Sequence, residues 1–193
     1  MGSITTPPPG TTPKAATAPT FSIRKATLQD AEQIAALGAA VFTHTFKESG
    51  CTAQQLRSYL DEAYTVAAIR ATLTSPAQDT LVATSIKLLG FAVLNHTTSP
   101  SEPAIAGFPH PVEVQRLYVD LGAHGRGIGT ALMAAVEELA KAQGGYETAW
   151  LGVWERNFRA QKVYGRLGYR RVGEHVFDVG GDEQTDWIMV KAL

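Results

Sequence analysis

Val114-Gln115-Arg116-Leu117-Tyr118-Val119-Asp120, followed by Leu121-Gly122-Ala123-His124-Gly125-Arg126-Gly127-Ile128-Gly129-Thr130-Ala131-Leu132, decides how this chain folds. The first part is rich in β-branched and aromatic residues and reads as a strand. Gly125, Gly127 and Gly129 remove Cβ atoms where a backbone must bend tightly and come close to something. Strong helix formers then run from Thr130 to Ala140. A glycine turn that opens a helix points unpaired N–H groups outward at the positive end of the helix. Such an end can seat a pyrophosphate. The pattern Gly-x-Gly-x-Gly does not match the dinucleotide fingerprint and lacks the Lys-Ser/Thr ending of a P-loop. Taken alone, these glycines equally fit a tight strand-to-helix turn without a ligand.

The rest of the composition narrows the choices. A length of 193 residues suits one domain. A hydrophobic content of 45% and a charged content of 18% are ordinary for a soluble globular chain. A net charge of −1 gives no electrostatic reason to expect nucleic acid or an anionic membrane surface. No apolar run approaches the ~20 residues that span a bilayer. The single cysteine, Cys51, excludes an internal disulfide framework and fits a reducing compartment. With no signal-peptide pattern at the N-terminus, a cytoplasmic location is expected, and the glycosylation-like Asn95-His96-Thr97 reads as chance.

Outward from the opening stretch, residues 1–20 are dominated by Thr, Pro, Ala and Gly and read as a disordered tail. One domain is expected over 21–193. Phe21 to Ala26 alternates like an outer strand. Thr27, with Asp30 three residues on, caps a helix whose apolar stripe is Ile34, Leu37, Val41 and Phe42. Residues 42–50 read as a mixed aromatic and polar loop. Thr52-Ala53-Gln54-Gln55 has capping-box spacing, and Thr65 caps a third helix. Two strands joined near Ile86-Lys87 follow, then a proline-bearing irregular loop over 97–111. Beyond the glycine turn and its helix come a buried strand over 148–153, a helix over 156–167 and two final strands around Gly180-Gly181-Asp182-Glu183. The sum is a mixed sheet covered by helices, in the α/β to α+β range.

A second motif settles the reading: Asn157-Phe158-Arg159-Ala160-Gln161-Lys162-Val163-Tyr164-Gly165-Arg166-Leu167-Gly168-Tyr169. Asn157 stands at a helix start, where its amide can cap the helix or grip a ligand. Tyr164 lies two turns on, on the face of Asn157 and Ala160, and alone would be an ordinary core aromatic. Together with His124-Gly125-Arg126-Gly127-Ile128-Gly129, this motif resembles the GNAT superfamily of N-acetyltransferases. The resemblance covers everything but the tail. It implies a GNAT-like, mostly antiparallel sheet of six to seven strands, helices on both faces, and a splay between two central parallel strands. Leu151-Gly152-Val153-Trp154-Glu155-x-Asn157 and the ending Asp182-x-Gln184-Thr185-Asp186-x-x-Met189 resemble the PaiA-type diamine and polyamine acetyltransferases, a narrower likeness. The Phe46 region and Tyr59 to Tyr64 point the same way.

The resemblance implies acetyl transfer from acetyl-CoA to a primary amine, with no metal. The amides of Gly125, Arg126, Gly127, Ile128, Gly129 and Thr130 would hold the pyrophosphate, Arg126 adding charge at the rim. His124 stands where the family usually has Gln or Arg, so its help should be weaker or pH-dependent. Pantetheine would run along the backbone of Leu117, Tyr118 and Val119, the Val119 N–H stabilising the oxyanion. Asn157, Ala160 and Tyr164 complete the cofactor side, and Tyr164 matches the family's general acid for the leaving thiolate.

The acceptor must arrive as a free amine. A lysine-like amine has a pKa of about 10.4, so roughly one molecule in 2,500 is neutral at pH 7. Glu113 is the candidate base, directly or through water, its other reading being a solvated strand-end carboxylate. Trp154 and Glu155 stand just past the neighbouring strand, and His44, Phe46 and Glu48 are further acceptor-side candidates. Glu48, Asp61 and Glu62 could receive a polyamine at the mouth or serve only as solvated helix charges. The expected acceptor is a small-molecule amine, polyamine-like by preference. The alternatives are a protein lysine or N-terminus, or a non-catalytic acyl-CoA-binding module. Family analogy also raises a homodimer to which the strand ending at Leu193 could contribute.

Overall fold

The computed structural model describes residues 21–97 and 102–193; the tail at 1–20 and residues 98–101 of the proline-bearing loop lie outside the described residues. Seven strands form one sheet in the order β1-β2-β3-β4-β5-β7-β6. They are β1 (Ser22–Lys25), β2 (Gln78–Thr84), β3 (Leu88–Asn95), β4 (Pro111–Val119), β5 (Thr148–Trp154), β6 (Arg170–Asp178) and β7 (Glu183–Ala192). All neighbours are antiparallel except β4 and β5. That parallel pair is registered only from Pro111↔Thr148 to Glu113↔Trp150, although β4 runs on to Val119 and β5 to Trp154. The two strands therefore part beyond Glu113, and the splay lies at the centre of the sheet.

Helices cover both faces. α4 (Ile128–Gln143) and α5 (Phe158–Arg166) pack one face, with Leu132, Met133 and Val136 against Val112, Val114 and Leu151. α1 (Ala31–Phe46), α2 (Ala53–Ala63) and α3 (Val66–Thr74) cover the other, with Ile34, Phe42 and Ile69 against Val82, Phe91 and Val93. No helix among the described residues is long and apolar enough to cross a membrane.

Local signals act where the sequence places them. Thr27 donates from its N–H and its hydroxyl to Asp30 Oδ2 at 2.7 and 3.0 Å, starting the short turn that leads into α1. The Gln55 N–H donates to Thr52 Oγ1 at 3.2 Å while the Thr52 N–H donates back to Gln55 Oε1 at 2.9 Å, a complete capping box for α2. The Ala68 N–H donates to Thr65 Oγ1 at 3.1 Å at the start of α3.

One expectation is corrected. The stretch from Phe42 to Phe46 is helical, the last turn of α1, not loop. Phe42 and Phe46 stack four residues apart with centroids 4.4 Å apart, and Phe46 packs on Trp154 at 4.8 Å. This burial carries the helix through threonines that local propensity would release. The final strand β7 lies between β5 and β6 and is paired on both edges.

One irregularity governs the site. Val93 pairs with Arg116 and Leu94 with Val114, so Gln115 is an extra residue on β4. Plain alternation would put Glu113 and Arg116 on opposite faces. The bulge instead puts Glu113, Arg116 and Tyr118 on the α1–α2 face, with Val112, Val114, Leu117 and Val119 on the other.

Candidate active site

The splay opens into a cavity of about 1150 Å³ that reaches from the start of α4 to the aromatic residues under α1. Its cofactor end is built by the glycine turn. Gly125 and Gly127 have φ of +78° and +77°, the left-handed region that suits glycine. Gly127 is the N-cap of α4 and supplies no side chain to the first turn. The N–H groups of that turn have no acceptor within the helix. Gly125, Gly127, Ile128, Gly129 and Thr130 all border the cavity. Arg126 is exposed and does not border it. His124 borders it, and its Nε2 donates to the Val119 carbonyl at 3.1 Å, which commits that N–H to the backbone.

The free edge of β4 follows from the ladder. The Asp120 N–H donates to the Leu89 carbonyl at 2.8 Å. Hydrogen-bonded and open pairs alternate along antiparallel strands, so Tyr118 and Arg116 also face β3. Leu117 and Val119 therefore turn their peptide groups away from β3 toward the splay.

Across the splay, α5 brings three residues. Asn157 accepts from the Ala160 N–H at 3.1 Å, so its amide caps α5 while bordering the cavity. Ala160 and Tyr164 border the cavity on the same face. Tyr164 is buried, and its hydroxyl makes no hydrogen bond among the described residues. Burial pushes its phenol well above the ordinary range, and Tyr118 and Asp186 add to the shift. The group is thus a held proton at neutral pH.

The opposite end is aromatic and acidic. Phe46, Tyr59, Trp154 and Phe177 form one cluster, with Tyr59 and Phe177 edge-on at 5.5 Å. Trp154 is held by its Nε1 donating to Gln184 Oε1 at 2.9 Å. His44 is exposed at the cavity's edge. Glu48 is exposed and Glu155 half-buried, and neither borders the cavity. Asp61 is exposed away from it, and Glu62 borders a smaller neighbouring cavity of about 470 Å³ that also touches Arg116. Arg116 lies over the Tyr64 ring at 5.0 Å.

Glu113 is half-buried at this end and accepts from Asn95 Nδ2 at 2.9 Å. Burial raises its carboxyl above the usual range, and the Asn95 hydrogen bond with the charges of His175 and Arg116 opposes that. A second carboxylate, Asp186 on β7, escaped the sequence reading as a site residue. Burial pushes it up to about 6 against the pull of His175. Its Oδ1 is buried without a hydrogen-bond partner. The signal in the sequence was the ending that contains Asp186; alternation in β7 alone gives no sign that the side chain faces a cavity. Among the described residues no group of acidic, His and Cys side chains has the arrangement of a metal site.

Comparison with known proteins gives concordant results. Residues 42–169 match the acetyltransferase (GNAT) family. An uncharacterised N-acetyltransferase of Mycobacterium tuberculosis (strain ATCC 25618 / H37Rv) is 30% identical over 167 residues, spanning 86% of this chain and 99% of that protein. Among solved structures, the PaiA N-acetyltransferase of Thermoplasma acidophilum in complex with coenzyme A superposes with a TM-score of 0.67 at 21% identity, covering 90% of this chain and 99% of that one. Arabidopsis thaliana NAA60 in complex with acetyl-CoA gives 0.69 at 16% identity, covering 90% and 98%.

Proposed function

The chain belongs to the GNAT acetyltransferase family and is an N-acetyltransferase, and from that premise we propose that it moves the acetyl group of acetyl-CoA to a primary amine of a small molecule, polyamine-like acceptors being favoured. The observation that carries this reading is the splay between β4 and β5, with free helix-start amides at one end and carboxylates at the other. In this reading the first-turn amides of α4 hold the pyrophosphate and the turned-out peptides of Leu117 and Val119 hold the pantetheine. The two PaiA and NAA60 neighbours carrying coenzyme A and acetyl-CoA support that cosubstrate.

The reaction then needs three things from this chain. The amine must lose a proton before its lone pair can attack the acetyl carbon, and Glu113 or Asp186 can take it. The tetrahedral oxyanion is met by the Val119 N–H. The C–S bond breaks toward sulfur, and Tyr164 donates its proton to the departing thiolate. Two desolvated carboxylates beside an aromatic wall favour a cationic amine over a neutral one. The likeness to PaiA in fold supports a polyamine as the first acceptor to try.

The test is release of free CoA thiol from acetyl-CoA with spermidine, spermine, putrescine, free amino acids and a lysine peptide. Turnover with polyamines is expected. Turnover only with the peptide would make the acceptor a protein. Silence on every amine with tight acetyl-CoA binding would make the chain an acyl-CoA-binding module.

A further inference from the structure

Four strands contribute to one spot on the acceptor face. Gly152 on β5 is the floor of that spot. A Cβ there would lie 3.1 Å from Asp186 Oδ2 and 3.7 Å from His175 Nε2. A carboxylate from β7 and an imidazole from β6 therefore converge over a position where β5 carries no side chain. His175 and Asp186 are cross-strand partners. Glu113 on β4 completes the set from the other side of the splay.

The two groups are held unequally. Glu102 is buried and accepts twice, from the Ala104 N–H at 3.1 Å and from His175 Nδ1 at 2.6 Å. That second bond fixes the ring, so Nε2 is the nitrogen turned to the cavity. Asp186 accepts no hydrogen bond among the described residues, and its buried Oδ1 is bare. An unpartnered buried carboxylate is costly to keep and is poised to bind a cation or a proton. Glu113, in contrast, has one oxygen already occupied by the Asn95 amide.

Resting on the acetyl-transfer reading above, we propose that Asp186 is the base that takes the proton from the acceptor ammonium, that His175, fixed by Glu102, passes it to solvent, and that Glu113 anchors the ammonium. In the first step the N–H bond of the ammonium breaks, its electron pair stays on nitrogen and the proton goes to Asp186. The neutral amine attacks the acetyl carbon, the C–S pair leaves on sulfur, and Tyr164 supplies the thiolate's proton. Tyr164 regains a proton from the nitrogen that has become an amide. The proton on Asp186 leaves through His175, whose side chain is 33% exposed. Glu102 acts only through His175 and is a positioning residue.

The groups facing Asp186 are His175 on β6, Tyr118 on β4, Tyr59 on α2 and Tyr164 on α5. Glu113 and Glu102 act on the same cluster through His175, and Arg116 acts on Glu113. Burial sets the acid limb near pH 6, below which the base is protonated and idle.

The test is kcat/KM with spermidine by thiol release between about pH 5.5 and 10. Wild type should show an acid limb near 6 and then a plateau up to the amine's own pKa. Asp186→Asn should lose that limb, fall about 10²-fold at pH 7, and climb about tenfold per pH unit as free amine accumulates. Glu113→Gln should raise KM and keep the limb. Glu102→Gln should lower the plateau, because the His175 ring is no longer held by a carboxylate. Gly152→Ala, which adds and removes no titratable group, should lower the plateau by crowding Oδ2. Asp186→Asn should melt no lower than wild type, since it removes a charge that burial disfavours. A limb that survives in Asp186→Asn and vanishes in Glu113→Gln overturns the proposal and makes Glu113 the base. A plateau unchanged in Glu102→Gln overturns the relay. Turnover with no amine at all overturns the acetyl-transfer reading itself, and this proposal with it.

Discussion

Tyr64 donates its phenolic hydrogen to the Tyr118 hydroxyl at 2.7 Å, tying the end of α2 to the central strand on the α1–α2 face of the sheet. The Tyr64 ring fills the hollow over Gly38, where a Cβ would lie 2.5 Å from two ring carbons. Gly38→Ala gains about 1 kcal/mol of helix propensity on α1. The ring cannot step back, because it is buried, tilted against Phe42 and hydrogen-bonded at its far end. Overpacking of this kind costs about 1–3 kcal/mol. Gly38→Ala is therefore expected to be net destabilising and Gly38→Val more so, read from urea midpoints; a Gly38→Ala midpoint above wild type would mean the ring has room.

Tyr164→Phe removes the held proton but not the ring packing. The expected result is a kcat lower by about 10–10²-fold with acetyl-CoA affinity within about twofold of wild type. Stopped-flow thiol release and equilibrium binding separate the two quantities. An unchanged kcat would remove Tyr164 from the role of acid.

The glycines of the turn should respond differently. Gly127 has φ of +77°, which costs an L-residue about 1–2 kcal/mol, so Gly127→Ala should lower both melting temperature and acetyl-CoA affinity. At Gly129 a Cβ would meet only Val119 Cγ2 at an ordinary 3.6 Å. Gly129→Ala should leave the protein as stable as before and weaken acetyl-CoA binding alone. If both variants bind acetyl-CoA normally, the turn is not the phosphate seat.

Asp79 sets an acid sensitivity far from the site. Burial works against its charge, but hydrogen bonds from Lys25, Gln143 and His96 outweigh it and hold the carboxyl at about 2. The folded value lies below the ordinary 3.8, so its contribution is present above about pH 4 and lost as pH falls through about 2. The difference is worth about 2 kcal/mol. Asp79→Asn should be less stable than wild type at pH 7, with the gap closing as the pH approaches 2. Chemical denaturation across that range reads it directly; a gap independent of pH would assign the loss to packing.

Much of the fold was legible because its signals are local. The Thr52 and Thr65 caps and the hairpins between β2 and β3 and between β6 and β7 depend on residues within a few positions of each other. The two motifs, Gly125 to Gly129 and Asn157 to Tyr164, were legible for the same reason, and their elements border one cavity as expected from the resemblance. The last turn of α1 was not legible, because what holds Phe42 and Phe46 in a helix is Trp154, more than a hundred positions away.

The sequence by itself determined the order of elements, the family, the helix-start turn and the tyrosine that faces it. Only the tertiary structure decided which side chains share the α1–α2 face of the splay. The extra residue at Gln115 flips the alternation of β4 so that Glu113 and Arg116 share a face, and pairing with β3 is what reveals it. Likewise, Asp186 is one polar residue among several on β7 until β5 brings the bare Gly152 beneath it and β6 brings His175 beside it. Burial and charge are properties of neighbours, and in a sheet the neighbours of a residue come from distant parts of the chain.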